Sequence, residues 1–238
     1  MIGRARAWLA DAVRLLHLSA RMTAGRRYWI APLLPLLWIA FQLFRLLVGW
    51  REQDFVPADA QNVLIGFPLT ILAIGLGVRI IAGEMDFRTL EIAYTVPGGT
   101  HRVWLAKLSA ALILLVAAEL LLALASFLFC TGFPPGALYG ALQGAVFYMV
   151  VAMGFSALFK GEAVGALMAC VVLAINLPFQ GGMPMLSPFY NAEARFGVDA
   201  ADLLAETIRN RVGYALVIAA IAALSFGRAE QRERVLGG

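Results

Sequence analysis

Charge is scarce in this chain. Asp, Glu, Lys and Arg make up 14% of its 238 residues, while 61% are hydrophobic. Soluble domains carry about 25% charged residues. With a mean hydropathy of +0.81, the chain holds more apolar surface than a soluble protein of this length can hide. That excludes a globular aqueous domain and predicts a polytopic membrane protein. Cysteine is nearly missing. Cys130 and Cys170 stand apart, in neither CxxC nor CxxH spacing, and read as small packing residues. Histidine is limited to His17 and His101, far from both cysteines, so neither a metal ligand set nor a catalytic residue is predicted. No GxxxxGK[ST] motif occurs, so the chain holds no nucleotide-binding signature. The net charge of +4 would suit nucleic acid, but the basic residues fall at the boundaries of apolar runs. That distribution argues for membrane topology and against a nucleic-acid partner.

What is abundant is apolar sequence in long runs. Residues 1–27 precede them and read as an interfacial amphipathic helix. Ile2, Ala5, Trp8, Leu9, Ala12, Val13 and Leu16 share one arc; Arg4, Asp11, Arg14, His17 and Arg21 share the other. A cleavable signal peptide fits less well, because the next apolar run is too long and no small-residue cleavage site follows. Six runs follow: Tyr28–Gly49, Val63–Ala82, Leu108–Cys130, Ala137–Phe159, Ala163–Leu177 and Val212–Phe226. The first four can cross a hydrocarbon core of about 30 Å. The fifth is short and meets Pro178; the sixth can extend backward into an amphipathic helix. Gly66-Phe67-Pro68 predicts a kink in the second run.

The basic residues set the expected orientation. Fourteen lie on one side: six before the first run, then Arg79, Arg88, Arg102, Lys107, Lys160, Arg228, Arg232 and Arg234. Arg51, Arg195, Arg209 and Arg211 lie on the other, with Arg45 near that end of the first run. The positive-inside rule puts both termini in the cytoplasm. It also places Pro178–Arg211 outside. The stretch PFQGGMPMLSPFYN is uncharged and rich in Gly, Pro and aromatics, which predicts a re-entrant segment buried against protein before the last span. The expected fold is therefore all-α. A single transmembrane domain fills 1–238: interfacial helix 1–27, six-span bundle 28–226, cytoplasmic loop 84–100 and cytoplasmic tail 227–238. Many arginines and alanines against two lysines point to a GC-rich prokaryote and a bacterial cytoplasmic (inner) membrane.

Polar groups inside the runs are few. Glu119 stands mid-way along the third, where a carboxylate costs about 2.5–3.5 kcal/mol. It has either a substrate or proton role or a structural hydrogen bond. Arg45 and Arg79 lie near run ends and can snorkel. Gln42, Thr70, Gln143 and Asn176 are scattered and suit helix–helix hydrogen bonds.

The segment from Gly83 to Leu108, GEMDFRTLEIAYTVPGGTHRVWLAKL, is charged and turn-punctuated between two apolar runs. Asp86 is expected to cap a short helix ending near Thr95, Pro97-Gly98-Gly99 to stop it, and Thr100 to cap the next. Glu84, Asp86, Arg88 and Glu91 give a mixed-charge face, with Leu90, Ile92 and Tyr94 as apolar anchors. Such a helix either docks in a partner's groove or rests on the membrane.

This segment resembles the loop between the second and third spans of ABC-2-type transporter permeases, whose pattern reads roughly E-x-x-x-G-T-L-E-x-L-L-x-T-P-V-S-R and then G-K-L. Glu84, Thr89, Leu90, Glu91, Pro97, Lys107 and Leu108 fall on it without a gap. Arg88 replaces the usual Gly, Gly98-Gly99-Thr100 replaces Val-Ser-Arg, and Ala106 replaces Gly. The resemblance extends to the expected architecture. It implies a membrane-spanning permease of an ATP-binding-cassette transporter, exporting a small molecule, lipid or peptide. Glu84, Asp86, Arg88, Thr89, Leu90, Glu91, Tyr94 and Pro97 would form the ATPase-coupling helix. The partners implied are two ABC ATPase subunits, a second permease copy or paralogue, and membrane lipid. The chain would bind no cofactor, Mg-ATP residing on the ATPase. By the same resemblance, spans two and five line the path, and Phe67, Thr70, Ile71, Glu119 and Asn176 are the candidate substrate contacts. Two rival readings are a non-transporting anchor or regulatory subunit for an ABC ATPase, and an intramembrane enzyme. The second would need paired acids or a Ser/His set at membrane depth.

Overall fold

The computed structural model describes residues 2–51, 53–86, 100–178, 184–195 and 197–230, and every regular element among them is helical. The helices are α1 (Ile2–Ala24), α2 (Leu36–Leu47), α3 (Pro57–Asp59), α4 (Phe67–Asp86), α5 (Thr100–Phe129), α6 (Pro135–Phe159), α7 (Glu162–Asn176) and α8 (Ala200–Glu230). Five stretches are long and apolar enough to cross a membrane: Tyr28–Leu47, Pro57–Gly83, His101–Phe129, Pro135–Phe159 and Ala200–Ala229. In hydrocarbon each backbone N–H and C=O must be satisfied internally, which a helix does within its own segment. The chain is thus an all-α, multi-pass membrane protein. At 15 residues, α7 is apolar but about 22 Å long, short of a full hydrocarbon core.

The core is built around α6. Helix α4 lies along it, α7 and α8 flank it, and α5 packs on α4 while carrying α1 and the first span. The α4–α6 contact depends on glycine: a Cβ on Gly77 would lie 2.2 Å from the Met149 carbonyl oxygen. Small residues allow such backbone approach in membranes, where packing replaces the hydrophobic driving force. The outer faces carry the opposite composition. Ile113, Leu120, Leu124 and Phe127 on α5, and Leu204, Ile208, Leu216 and Leu224 on α8, are exposed. These faces suit lipid.

Three elements refine the sequence expectations. The first run is not one straight helix: a 3₁₀ stretch, Tyr28–Leu33, contains Pro32, and α2 begins only after Pro35. Each proline removes a backbone donor. The second span starts earlier than Val63, at Pro57, and is π-helical over Ala60–Gly66. This is the irregularity expected at Gly66-Phe67-Pro68. Proline at 68 has no N–H to offer the residue four before it, and the Phe67 N–H bonds back to the Asn62 carbonyl, five residues away. Gly66 is needed there, since a Cβ would fall 2.4 Å from the Gln61 carbonyl oxygen. The last span extends backward as expected, α8 running unbroken through 31 residues.

The expected N-cap at Asp86 is corrected. Asp86 is itself helical, at the end of α4, whereas an N-cap needs non-helical backbone. The second span thus carries its helix past the apolar run. Helix α1 docks on α5 and α4. Ser19, Ala20 and Thr23 are buried there, with Leu16 and Ala24 against the core, while Val13 is exposed despite its place on the apolar arc. The Thr23 hydroxyl donates to the Ser19 carbonyl at 2.9 Å, which lets it be buried. Residues 187–191, after α7, are all buried. They are the last part of the uncharged Gly/Pro/aromatic stretch, in which Pro178 and Leu186 are exposed and 179–183 lie outside the described residues.

Candidate functional site in the cleft between α2, α4 and α7

The first span leans on α5 and leaves a cleft beside α4. Its larger part, about 720 Å³, is lined by Trp38, Ile71, Gly75, Arg79, Glu162 and Ala166, among others. The sequence creates this space by placing small residues where bulk would fill it: Gly75 on α4, and Ala163 and Ala166 on α7. A second compartment of about 270 Å³ is lined by Asn62, Val63, Phe67, Leu173, Leu177 and Phe189. Trp38 borders both compartments.

Trp38 is fixed in two ways. Its indole N–H donates to the Val63 carbonyl at 2.8 Å, and its ring lies 4.8 Å from that of Phe67. At the opposite end of the larger compartment lies an ion pair. Arg79 Nε donates to Glu162 Oε2 at 3.4 Å, between the last turns of α4 and the first residue of α7. The cleft therefore has apolar and aromatic walls with charge at one end, which fits an amphiphilic guest: a tail along the walls and a polar group at the Arg79–Glu162 end.

The candidate substrate contacts separate. Phe67 and Ile71 line the cleft. Thr70 does not. It is fully buried, one helical turn before Ile74, which packs with Tyr148 and Val151 of α6. Its hydroxyl oxygen has no partner among the described residues. Glu119 is 5% exposed on α5, with one carboxylate oxygen unpartnered, and lines no part of the cleft. Asn176 donates to the Val172 carbonyl within α7 at 2.9 Å. Its side chain lies beside the Tyr148 hydroxyl without meeting hydrogen-bond geometry. Thr70 and Glu119 fail as cleft contacts because hydropathy gives depth but not the rotation of a helix about its axis. Trp38 and Glu162 were missed. Their signals were a tryptophan inside a span and an acid opening a short apolar helix.

The coupling residues Arg88, Thr89, Leu90, Glu91, Tyr94 and Pro97 lie outside the described residues, as do the side chains of Glu84 and Asp86. Lys107, the basic residue of the loop pattern, is buried near the start of α5. No group of three or more His, Cys, Asp or Glu able to hold a metal occurs among the described residues.

A polar cluster closes the other end of the bundle. Gln61 Nε2 donates to the Tyr190 carbonyl at 2.7 Å, and Asn191 Nδ2 to the Ala58 carbonyl at 2.8 Å. Asn210 Nδ2 donates to the carbonyls of Met185 and Ser187 at 2.8 and 3.0 Å, and the Tyr214 hydroxyl to that of Leu186 at 2.7 Å. Phe189 stacks on Tyr148. Side chains from α8 and the second span thus serve the carbonyls of Met185, Leu186, Ser187 and Tyr190. Comparison with protein-family models, with curated proteins and with solved structures finds no match.

Proposed function

We propose that the chain is the permease subunit of an ABC-2-type ATP-binding-cassette transporter, an exporter rather than an enzyme. The observation that carries this reading is the gap-free placement of Glu84, Thr89, Leu90, Glu91, Pro97, Lys107 and Leu108 on that family's loop pattern. The loop joins α4 and α5, which pack side by side. The docked N-terminal helix and the buried non-helical segment before a long last helix support the same reading.

In this reading six helices cross the bacterial cytoplasmic membrane, α7 being the short one. Both termini and the 84–100 loop face the cytoplasm, Pro178–Arg211 is external, and its first part, 178–191, is the re-entrant segment. Two ATPase subunits holding Mg-ATP grip the loops of two permeases, the second a copy or a paralogue. Closure of the ATPase pair moves the loops and, through α4 and α5, switches the path. Phe67 and Ile71 contact cargo in the cleft, while the Arg79–Glu162 pair sits at its cytoplasmic end.

The test is reconstitution with an ATPase encoded beside this chain. Co-purification, with ATP hydrolysis that changes when the two are joined in nanodiscs, is expected. An ATPase that binds and hydrolyses identically with and without this chain would overturn the reading. Binding without cargo movement in vesicles would mark the chain as an anchor or regulatory subunit.

A further inference from the structure

Helix α1 carries three faces over its described side chains, each with the spacing that runs along one side of a helix. Leu16, Ser19, Ala20 and Thr23 turn to protein: the last three are buried, and Leu16 and Ala20 join the core that holds Trp104 and Ala229. Arg14, His17 and Arg21 form a second face, all exposed. Leu15, Leu18 and Met22 form the third, and they are 54%, 54% and 58% exposed. At about 100° per residue, this third face stands about 100° from the arginines and about 120° from the docked face. The apolar arc expected to meet the membrane contains Leu16 and lacks Leu15 and Leu18. In the fold Leu16 turns to the bundle, and the apolar residues outside that arc are left bare.

The bare face sits where a span begins. Gly25 ends α1 in the left-handed conformation, at φ +85°, and the first membrane-crossing stretch starts at Tyr28. The Tyr28 hydroxyl and His17 Nδ1 are hydrogen-bonded, 3.0 Å apart, which holds the polar face of α1 beside the mouth of that span. Leu18 and Met22 thus lie within a few residues of the hydrocarbon boundary. Helix α1 itself is not among the stretches apolar enough to cross.

Charge fits the same boundary. Residues 1–27 hold six arginines against one acid, Asp11. Arg14, Arg21, Arg26 and Arg27 are exposed. Asp11 is exposed in the register of the bare face, one turn before Leu15, so that face begins at Leu15. A helix with one apolar and one basic side lies along the headgroup boundary, and it is held more tightly where the lipids are anionic. Arginine's planar donor fork matches phosphate oxygens.

We propose that α1 is a docking surface for anionic lipid: Leu15, Leu18 and Met22 enter the acyl boundary, and Arg14, Arg21, Arg26 and Arg27 hold headgroup phosphates. The surface is separate from the cleft and does not depend on the transport reading.

The test uses the full chain in nanodiscs of phosphatidylcholine and phosphatidylglycerol, in a background lacking Cys130 and Cys170. Nitroxide labels are placed at His17 and Leu18, adjacent residues on different faces. Lipid-soluble oxygen should relax the label at 18 more strongly, and a water-soluble nickel chelate the label at 17. Equal relaxation at both positions would overturn the proposal. So would a label at 18 shielded from both reagents, the mark of a protein partner covering the face. Headgroup preference is read by native mass spectrometry, as phosphatidylglycerol over phosphatidylcholine retained from mixed micelles. Wild type should be enriched in phosphatidylglycerol. Arg14→Gln and Arg21→Gln should each lower the enrichment about fivefold, and Arg21→Lys should largely keep it. Arg209→Gln removes the same charge from α8 and should change nothing. Equal enrichment in wild type, Arg14→Gln and Arg21→Gln, or no enrichment in wild type, would overturn the proposal.

Discussion

The indole N–H of Trp38 donates to the carbonyl oxygen of Val63, 2.8 Å away, and so ties the first span to the π-helical turn of the second. A π-helical turn leaves carbonyls out of the ordinary register, and this one is served from across the cleft. Trp38→Phe keeps an aromatic ring against Phe67 but removes the donor. The expected cost is about 1 kcal/mol, or about 2–4 °C in the thermal midpoint at this chain length. An unchanged midpoint would show that the bond contributes nothing net.

The Arg79–Glu162 pair is half-exposed on the arginine side, so it contributes about 0–1 kcal/mol to stability. Its expected role is to close the cleft. A cysteine at Gly75, where nothing lies within 4 Å of a Cβ, reports access in a background lacking Cys130 and Cys170. Arg79→Gln should speed its labelling by a soluble maleimide, and the swap Arg79→Glu with Glu162→Arg should restore the slow rate. Equal labelling rates in all three would mean that the pair closes nothing.

Gly77 and Gly75 stand two residues apart and should respond oppositely. Gly77→Ala drives a methyl against the Met149 carbonyl and should cost about 1–3 kcal/mol. Gly75→Ala meets open space and should leave the midpoint unchanged or slightly raised. Thermal unfolding of the two variants checks this directly; similar midpoints would mean that α4 and α6 are not packed as described.

Glu119 is buried with one oxygen unpartnered. Glu119→Gln removes a chargeable group while keeping its shape, so stability should hold or rise. A fall in stability would reveal a partner specific to the carboxylate. Loss of transport, or a changed pH dependence of transport, in a stable Glu119→Gln protein would give the residue a functional role that the cleft geometry does not assign.

The coupling reading has its own variants. Leu90→Asp and Glu91→Arg should each lower ATP-driven transport while the permease still purifies as a folded protein. Unaltered ATPase association and turnover in both would remove the loop from the coupling route.

The sequence carried much of the architecture. The ends of α6, the backward extension of α8 and the irregularity before Pro68 all follow from apolar length, proline and glycine. The burial of residues 187–191 followed from a stretch too uncharged for open water. Asp86 was misread because its capping chemistry is local, whereas the helix of α4 takes it in. Thr70 and Ile71 show the sharper limit. They are adjacent in sequence and similar in depth, yet Ile71 faces the cleft and Thr70 the interior.

Composition and the spacing of apolar runs determined that this chain is helical and which stretches are long and apolar enough to cross a membrane. The reason is that hydrocarbon forces every backbone bond to be made within its own segment. Tertiary structure alone decided how each helix is rotated and what it meets. The Arg79–Glu162 pair joins residues 83 apart, and the Gln61–Tyr190 bond residues 129 apart. Such contacts arise only when helix packing converts a shared depth into a shared point, and the cleft arises in the same way.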